Sequence, residues 1–357
     1  MRKHLIMTAA VGMSLACSPA REETTTTTDE PVTNVKLDPP PEGKGWQYDV
    51  PEFEVAPGTD QQNCYFYQVP GEGTDPVYVN KFVIAQNDGT HHMNMFRVRT
   101  IVDLDPANGL VQTSTDGEGP CFDSHNWADW PLIVNSQQGG NTEWELPAGV
   151  AHKFTPGEWI MLQSHYVNAS TQETPGKAKV YVNYYTVEAA QVQHELGTLF
   201  ATKQSIRICQ HDQRPKFSGT CQFNSSEPVH IVAANGHFHS RGRRFEMFAW
   251  DGMSAQPSDE ERFYVSEAWD EPPMLRSPEL DKVVPANGGI FYTCEFQWTQ
   301  PPESMDCSGL NQKDKSQLGT PDEALDCCYT FGGPVDWAEH CNVFAYYYPK
   351  TDNIICY

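Results

Sequence analysis

From Trp46 onward the chain is a succession of apolar-rich runs of strand length, each closed by turn residues, and helix signals are few. A first group comprises "PVYVNKFVIAQ" (76–86), "MNMFRVRTIVDL" (93–104), "EWIMLQSHYVN" (158–168) and "AKVYVNYYTV" (178–187). A second comprises "SIRICQ" (205–210), "VHIVAANGHFHS" (229–240), "RFEMFAWDG" (244–252), "GIFYTCEFQW" (289–298) and "NVFAYYYP" (342–349). Such β-branched and aromatic runs, bounded by Gly and Pro, suit a pleated, half-buried surface. One segment, "TPDEALDCC" (320–328), reads as a short helix: Thr320 is its N-cap, Pro321 its first position and Glu323 closes a capping box. The pattern predicts an all-β protein of antiparallel sandwiches. A boundary within 188–200 divides it into an N-terminal domain over 46–190 and a C-terminal domain over 195–357.

The first residues read as an export signal. Arg2 and Lys3 precede an apolar run from Leu5 to Leu15, and "SLAC" ends at Cys17. This predicts a lipoprotein signal peptide over 1–17 with Cys17 lipidated; an ordinary cleaved signal is the alternative. Removing Cys17 from eleven cysteines leaves ten, an even number, which in an exported chain predicts five disulfides of unspecified pairing. Residues 18–45 are Thr-, Pro- and acid-rich and predict a disordered tether. The expected location is the bacterial periplasm or the outer-membrane surface, with membrane contact only through the lipid. A formal charge of −23 without a basic stripe excludes nucleic acid as a partner.

Twelve histidines are present, and their placement tells more than their number. His91 and His92 are adjacent within a strand-like run, where packing alone gives no reason to pair two imidazoles. A metal site is the sharper explanation, and it needs a third ligand. His165, in "LQSHYVN", is a candidate, although a lone buried histidine is more often a hydrogen-bonded core residue. His237 and His239 stand at i and i+2, a spacing that sends both rings to one face of a strand. His340, in "AEHCNVFAYYYP", completes a second set of three. Imidazole sets without carboxylate suit copper or zinc better than magnesium or calcium. His125, His152, His194, His211 and His230 read as exposed or satisfied by backbone.

Four blocks in order, "HHMNMF", "LPAGVAHKFTPGEWIMLQSHYVN", "GHFHSRGRRF" and "EHCNVFAYYYP", resemble the copper type II, ascorbate-dependent monooxygenases. The resemblance covers most of residues 60–357. It implies two jelly-roll-like domains facing each other across a solvent-filled cleft, each holding one copper ion. It assigns His91, His92 and His165 to an electron-transfer copper, and His237 and His239 to the copper where dioxygen and substrate react. Gln163 matches a cleft glutamine. The family's bridges imply Cys64–Cys121 and Cys294–Cys341, with Cys356 joined to Cys221 or Cys209. Either Cys327 or Cys328 is then expected to join Cys307.

Departures from the family pattern bear on function. The family's second copper carries a methionine where this chain has His340, with Met305 as a possible stand-in from the preceding insertion. Imidazole is a harder donor than thioether and favours Cu(II). The peptide-amidating members clamp a carboxylate with an arginine and a tyrosine; here those positions are Asn235 and Phe344, and only Asn342 agrees. Without the arginine the carboxylate loses its bidentate, charge-assisted partner. The expected activity is hydroxylation of a small-molecule C–H by O₂, with two copper ions and an external one-electron donor such as ascorbate, and peptide amidation is not expected. The alternative is a non-catalytic, copper-binding exported protein.

Overall fold

The computed structural model describes residues 35–99, 112–115, 119–121, 130–136, 140–168, 175–300, 328–332 and 338–357, with single positions 101, 106 and 109. The expected signal peptide with Cys17, most of the tether, Met305, Cys307, Cys327 and all but the last residue of the helix expected over 320–328 lie outside them; that last residue, Cys328, begins a strand. Apart from two single-turn 3₁₀ segments, every regular element among the described residues is a strand, so the all-β expectation holds. The runs read from sequence become, among others, Val77–Gln86, Thr90–Arg97, Trp159–Asn168, Val229–His237 and Asn342–Tyr348.

The grouping of the strands differs from expectation. They are divided among five sheets in a propeller-like arrangement, in place of two jelly-roll sandwiches. Alternation along a strand dictates which side chains face inward, but not which strands become hydrogen-bonded neighbours. One five-stranded sheet places Trp159–Asn168 between Thr59–Gln68 and Thr90–Arg97, both antiparallel to it. Another places Asn342–Tyr348 between Gly197–Thr202 and Val229–His237, again antiparallel. These two sheets carry the histidine sets described below. Arg207–Cys209, Cys328–Phe331 and Ala338–Glu339 form a separate three-stranded sheet, whose last strand precedes Asn342–Tyr348 in the chain.

Two hydrophobic cores support these sheets. One is built around Phe82, Met93, Met95, Ile160 and Tyr184, with the Tyr184 hydroxyl donating to Met95 Sδ at 3.0 Å. The other is built around Phe238, Phe245, Tyr264, Tyr292 and Phe296. The first does not end with the N-terminal half: Val232, Ala233, Phe344 and Tyr346 also belong to it. At that seam the Tyr346 hydroxyl donates to Asn135 Oδ1 at 2.5 Å, and Asn135 Nδ2 donates to Asn235 Oδ1 at 3.2 Å. All three side chains are fully buried, so the polar chain is shielded from competing water. Trp144 packs its ring edge-on to Tyr346 at 4.9 Å. The two halves are thereby held in a fixed relation.

Disulfides join Cys64 to Cys121, Cys209 to Cys328, Cys221 to Cys356 and Cys294 to Cys341. The choice left open for Cys356 therefore falls on Cys221. Cys328 is not the partner of Cys307: its strand pairs with Arg207–Cys209, which puts Cys209 directly opposite. Disulfides of this number belong to an oxidising, extracellular compartment. Replacing Cys221 and Cys356 together by serine should lower the unfolding free energy by about 2–5 kcal/mol, as read by denaturant titration, while leaving metal binding unchanged. Replacing Cys294 and Cys341 should lower stability by a similar amount and weaken the metal site beside Cys341 as well.

Candidate metal centre

The pair His91–His92 raises a geometric difficulty that the structure resolves. Neighbouring strand residues point to opposite faces. Here Thr90 lies opposite Tyr166 and His92 opposite His165, so the register slips by one residue between them. His91 is the extra residue of a β-bulge, a device that re-aims a side chain and ends regular pairing. With the alternation broken, both rings converge: His91 Nδ1 and His92 Nδ1 stand 3.1 Å apart. The cross-strand position of His165 brings its ring to 4.8 Å from that of His92 and 5.2 Å from that of His91. Each residue offers one ring nitrogen within 4.8 Å of the others.

Two outer nitrogens of this set, on His92 and His165, are held. His92 Nε2 faces Gln163 Oε1 at 3.3 Å, and the same oxygen accepts from Asn94 Nδ2 at 2.9 Å. His165 Nε2 faces Asp60 Oδ2 at 3.3 Å, which leaves His165 Nδ1 buried and without a partner. A carboxylate or amide behind an imidazole sets its tautomer and aims the other nitrogen, the arrangement that surrounds metal-bound histidine.

The second set is placed by packing. Phe238 points into the core between Phe245 and Phe296, so His237 and His239 on either side of it turn the other way. Gly242 and Gly236 make room for this core: a Cβ at Gly242 would meet the Phe238 ring at 1.9 Å, and one at Gly236 would meet Phe245 at 2.4 Å. His237 is opposite Asn342 in the sheet, which brings His340 alongside. The ring of His340 lies 4.3 Å from that of His239 and 5.5 Å from that of His237. All three again offer nitrogens within 4.8 Å of one another.

His239 Nδ1 donates to the Ala338 carbonyl at 2.9 Å, which leaves Nε2 for a ligand bond. The turn after it is fastened by Glu339, a fully buried carboxylate that accepts the backbone N–H groups of His239 and Arg241, each at 2.9 Å. Burial pushes the Glu339 carboxyl up to about 7. Arg241 lies 3.5 Å from it and stacks over the Tyr329 ring at 3.6 Å.

Burial, first, and neighbouring imidazoles, second, hold the rings of His91, His92, His237 and His239 neutral, and burial does so for His340. His91 is lowered to about 3 and His340, by burial, to about 4; His92, His237 and His239 are held well below the ordinary histidine range. Neutral imidazole is the form that ligates a metal. The buried, unpartnered nitrogens His91 Nε2, His165 Nδ1, His237 Nδ1 and His340 Nδ1 confirm that hydrogen bonding within the protein does not saturate these residues. The donor sets fit a late transition metal such as copper or zinc, and a hard, oxygen-seeking cation poorly.

The two sets are close. The His237 ring is 6.0 Å from His91 and 6.2 Å from His92, whereas the resemblance implied a solvent-filled cleft between them. The shared core and the Asn135–Tyr346 chain account for the closeness. Gln163 faces His92 as described, with its Nε2 buried and unpartnered; Asn342 Oδ1 is in the same condition. Asn235 and Phe344 serve the fold, the former on Asn135 and the latter against Phe200 at 5.0 Å. Of the other histidines, His152 is buried with Nε2 on the Ile133 carbonyl, and His230 pairs with Asp281 and stacks on Tyr348. Asp60, Asn94, Ala338 and Glu339 were missed in the sequence. Glu339 had a signal, a carboxylate directly before a candidate ligand; Asp60 had none.

No protein-family model matches the chain, and no curated protein matches it. Among solved structures it is similar to PNGase F, a glycosylasparaginase from Flavobacterium meningosepticum, at 9% identity and a TM-score of 0.32 over 88% of this chain and 99% of that one. It is also similar to the major capsid protein P2 of bacteriophage PM2, at 10% identity and a TM-score of 0.27 over 72% and 98%. Likenesses this slight bear on neither site nor activity.

Two outcomes follow from the geometry. Asp60→Asn removes the charge behind His165 and should weaken metal binding at the first set about 10- to 100-fold, measured by competition with a chelator of known affinity. In the metal-free protein, His91 and His340 titrate lower when folded than the ordinary value of 6.5. The unfolded chain therefore takes up protons that the folded chain refuses between about pH 6.5 and 3, which outweighs the single proton that buried Glu339 retains in the folded chain. Stability should be full above that window and fall as pH drops through it, as followed by chemical denaturation at successive pH values.

Proposed function

We propose that this protein is an exported copper monooxygenase of the copper type II, ascorbate-dependent kind, acting on a small molecule other than a peptide C-terminus. The observation that carries the reading is the pair of three-histidine sets, in which Asp60, Gln163 and the Ala338 carbonyl fix the outer nitrogens of His165, His92 and His239. In the proposed reaction one oxygen atom of O₂ enters a substrate C–H bond and the other leaves as water. An external one-electron donor such as ascorbate supplies two electrons in succession, and two protons from solvent complete the water. When bound, copper supplies the one-electron redox chemistry and the affinity for O₂ that no side chain offers.

The residues contribute position and environment. His91, His92 and His165 hold the electron-transfer ion; His237, His239 and His340 hold the ion at the reacting centre. Desolvation keeps the rings of His91, His92, His237, His239 and His340 neutral, so their nitrogens are available without displacement of a charge-bearing proton. Gln163 and Asn342 are assigned to the substrate, since each presents a buried polar atom that no protein group satisfies. A neutral polar substrate suits them better than a carboxylate, because Asn235 and Phe344 supply neither charge nor hydroxyl and Arg241 is committed to Glu339. The division into domains at 190/195, the lipid on Cys17 and a periplasmic or outer-membrane location are part of the same reading.

His340 favours a second reading, a copper-binding protein without turnover, because a third imidazole stabilises Cu(II) against the reduced state. Exposing the reduced, copper-loaded protein to O₂ in the presence of ascorbate separates the two. Consumption of O₂ matched by a hydroxylated product supports the enzyme, and oxidation without product supports the binder. His237→Ala and His239→Ala should each abolish turnover and release the metal of the second set while leaving the circular dichroism of the sheets unchanged. Full activity in both variants would refute the assignment.

A further inference from the structure

A cavity of about 600 Å³ lies apart from both histidine sets, and none of the six imidazoles lines it. Arg97, in its wall, stands five residues beyond His92, about 17 Å along an extended strand. The walls come from three places. The end of Thr90–Arg97 supplies Arg97 and Arg99, the segment joining the two halves supplies Glu195, and the residues after Asn342–Tyr348 supply Lys350 and Asp352. A cavity of this volume at such a junction is of a size for a small molecule. Its wall is mostly polar, so a polar occupant suits it.

The charges decide the sign of that occupant. Two ion pairs are closed within the wall: Arg97 Nη1 donates to Glu158 Oε1 at 2.8 Å, and Lys350 Nζ to Glu195 Oε1 at 2.6 Å. Asp352 lies 4.0 Å from the same ammonium. Arg99 is exposed and, among the described residues, makes no hydrogen bond or ion pair. A guanidinium without a carboxylate stands out in a chain of formal charge −23. The arginine fork takes carboxylate or phosphate through two parallel N–H donations. Glu158, Glu195 and Asp352 share the wall and repel a dianion about twice as strongly as a monoanion. A single carboxylate is therefore favoured over phosphate.

We propose that this cavity is a binding site, separate from the histidine sets, for a small molecule bearing one carboxylate, with Arg99 as the partner of that carboxylate. The uncharged part of the ligand meets the apolar lining, which includes Val98 and Leu196. Both halves and their connection supply the walls, so an occupied cavity stabilises the folded chain by mass action. The site does not depend on the copper reading.

Titration calorimetry on the full chain at low ionic strength provides the test, with copper content measured on the same preparation. The probes are propionate and benzoate, each against its uncharged amide, propionamide and benzamide, together with inorganic phosphate. Each acid should bind at least about 10-fold more tightly than its amide, and benzoate should raise the unfolding temperature. Arg99→Gln should abolish the preference for acid over amide while leaving the circular dichroism and the copper content unchanged. Equal affinity for acid and amide, phosphate bound as tightly as benzoate, or no binding of any probe would each overturn the proposal. So would a preference that survives Arg99→Gln, the result expected if the acids ligate a metal instead. Absence of stoichiometric copper with the carboxylate preference intact would count against the proposed function alone.

Discussion

The one-residue slip opposite His165 is the constraint on which the site depends. A regular strand would send His91 and His92 to opposite faces, and only one could meet His165. By giving up one rung of pairing at Thr90–His92, the chain gains two nitrogens on one side, 3.1 Å apart. Bulges carry a local cost in hydrogen bonding and are kept where a side chain must be re-aimed. The same strand then returns to strict alternation, with Met93 and Met95 in the core and Asn94 on the side of the imidazoles. Two register demands, one of the core and one of the site, are thus met within a few residues.

The second set reaches the same end differently. His237 and His239 use ordinary alternation, and their orientation is secured from behind by Phe238 among Phe245 and Phe296. Glu339 ties the turn after His239 to the strand that precedes His340, and the Cys294–Cys341 bridge pins the next residue. The contact between the halves, through Tyr346, Asn135 and Asn235, sets how near the two clusters lie. Buried polar chains of this kind penalise alternative packings, because a slipped arrangement leaves amides unpaired in a dry interior. The distance between the clusters is therefore a property of the core, and not only of the histidines.

Much of this was legible in the chain before any coordinates. The strand-length runs are apolar enough to specify strands, and eight of the nine named appear where their pattern placed them, with ends shifted by a few residues; the run at 93–104 is a strand only up to Arg97, and 100 and 102–104 lie outside the described residues. The i, i+2 spacing of His237 and His239 gave their common face directly. His91 and His92 announced an anomaly but not its cure, since a bulge depends on the register against Trp159–Asn168, which lies far along the chain. Sheet membership was not legible for the same reason: alternation encodes a face, whereas pairing is decided by tertiary contacts. The partner of Cys328 followed from strand pairing with Arg207–Cys209 and could not be had from spacing. Asp60 carries no local mark at all, because an acidic residue near the start of a strand reads as solvent-facing.

The proposed copper chemistry would join these observations into one account: two sets of three imidazoles, several of them held from behind by Asp60, Gln163 and the Ala338 carbonyl, each set gathered about a common point. The most direct test is X-ray absorption at the metal edge on the copper-loaded, reduced chain, together with the copper content. Two ions per chain, each in a shell of nitrogen scatterers alone, is the predicted result. A sulfur scatterer, or an amount of bound copper well below one ion per set of three histidines, would contradict it.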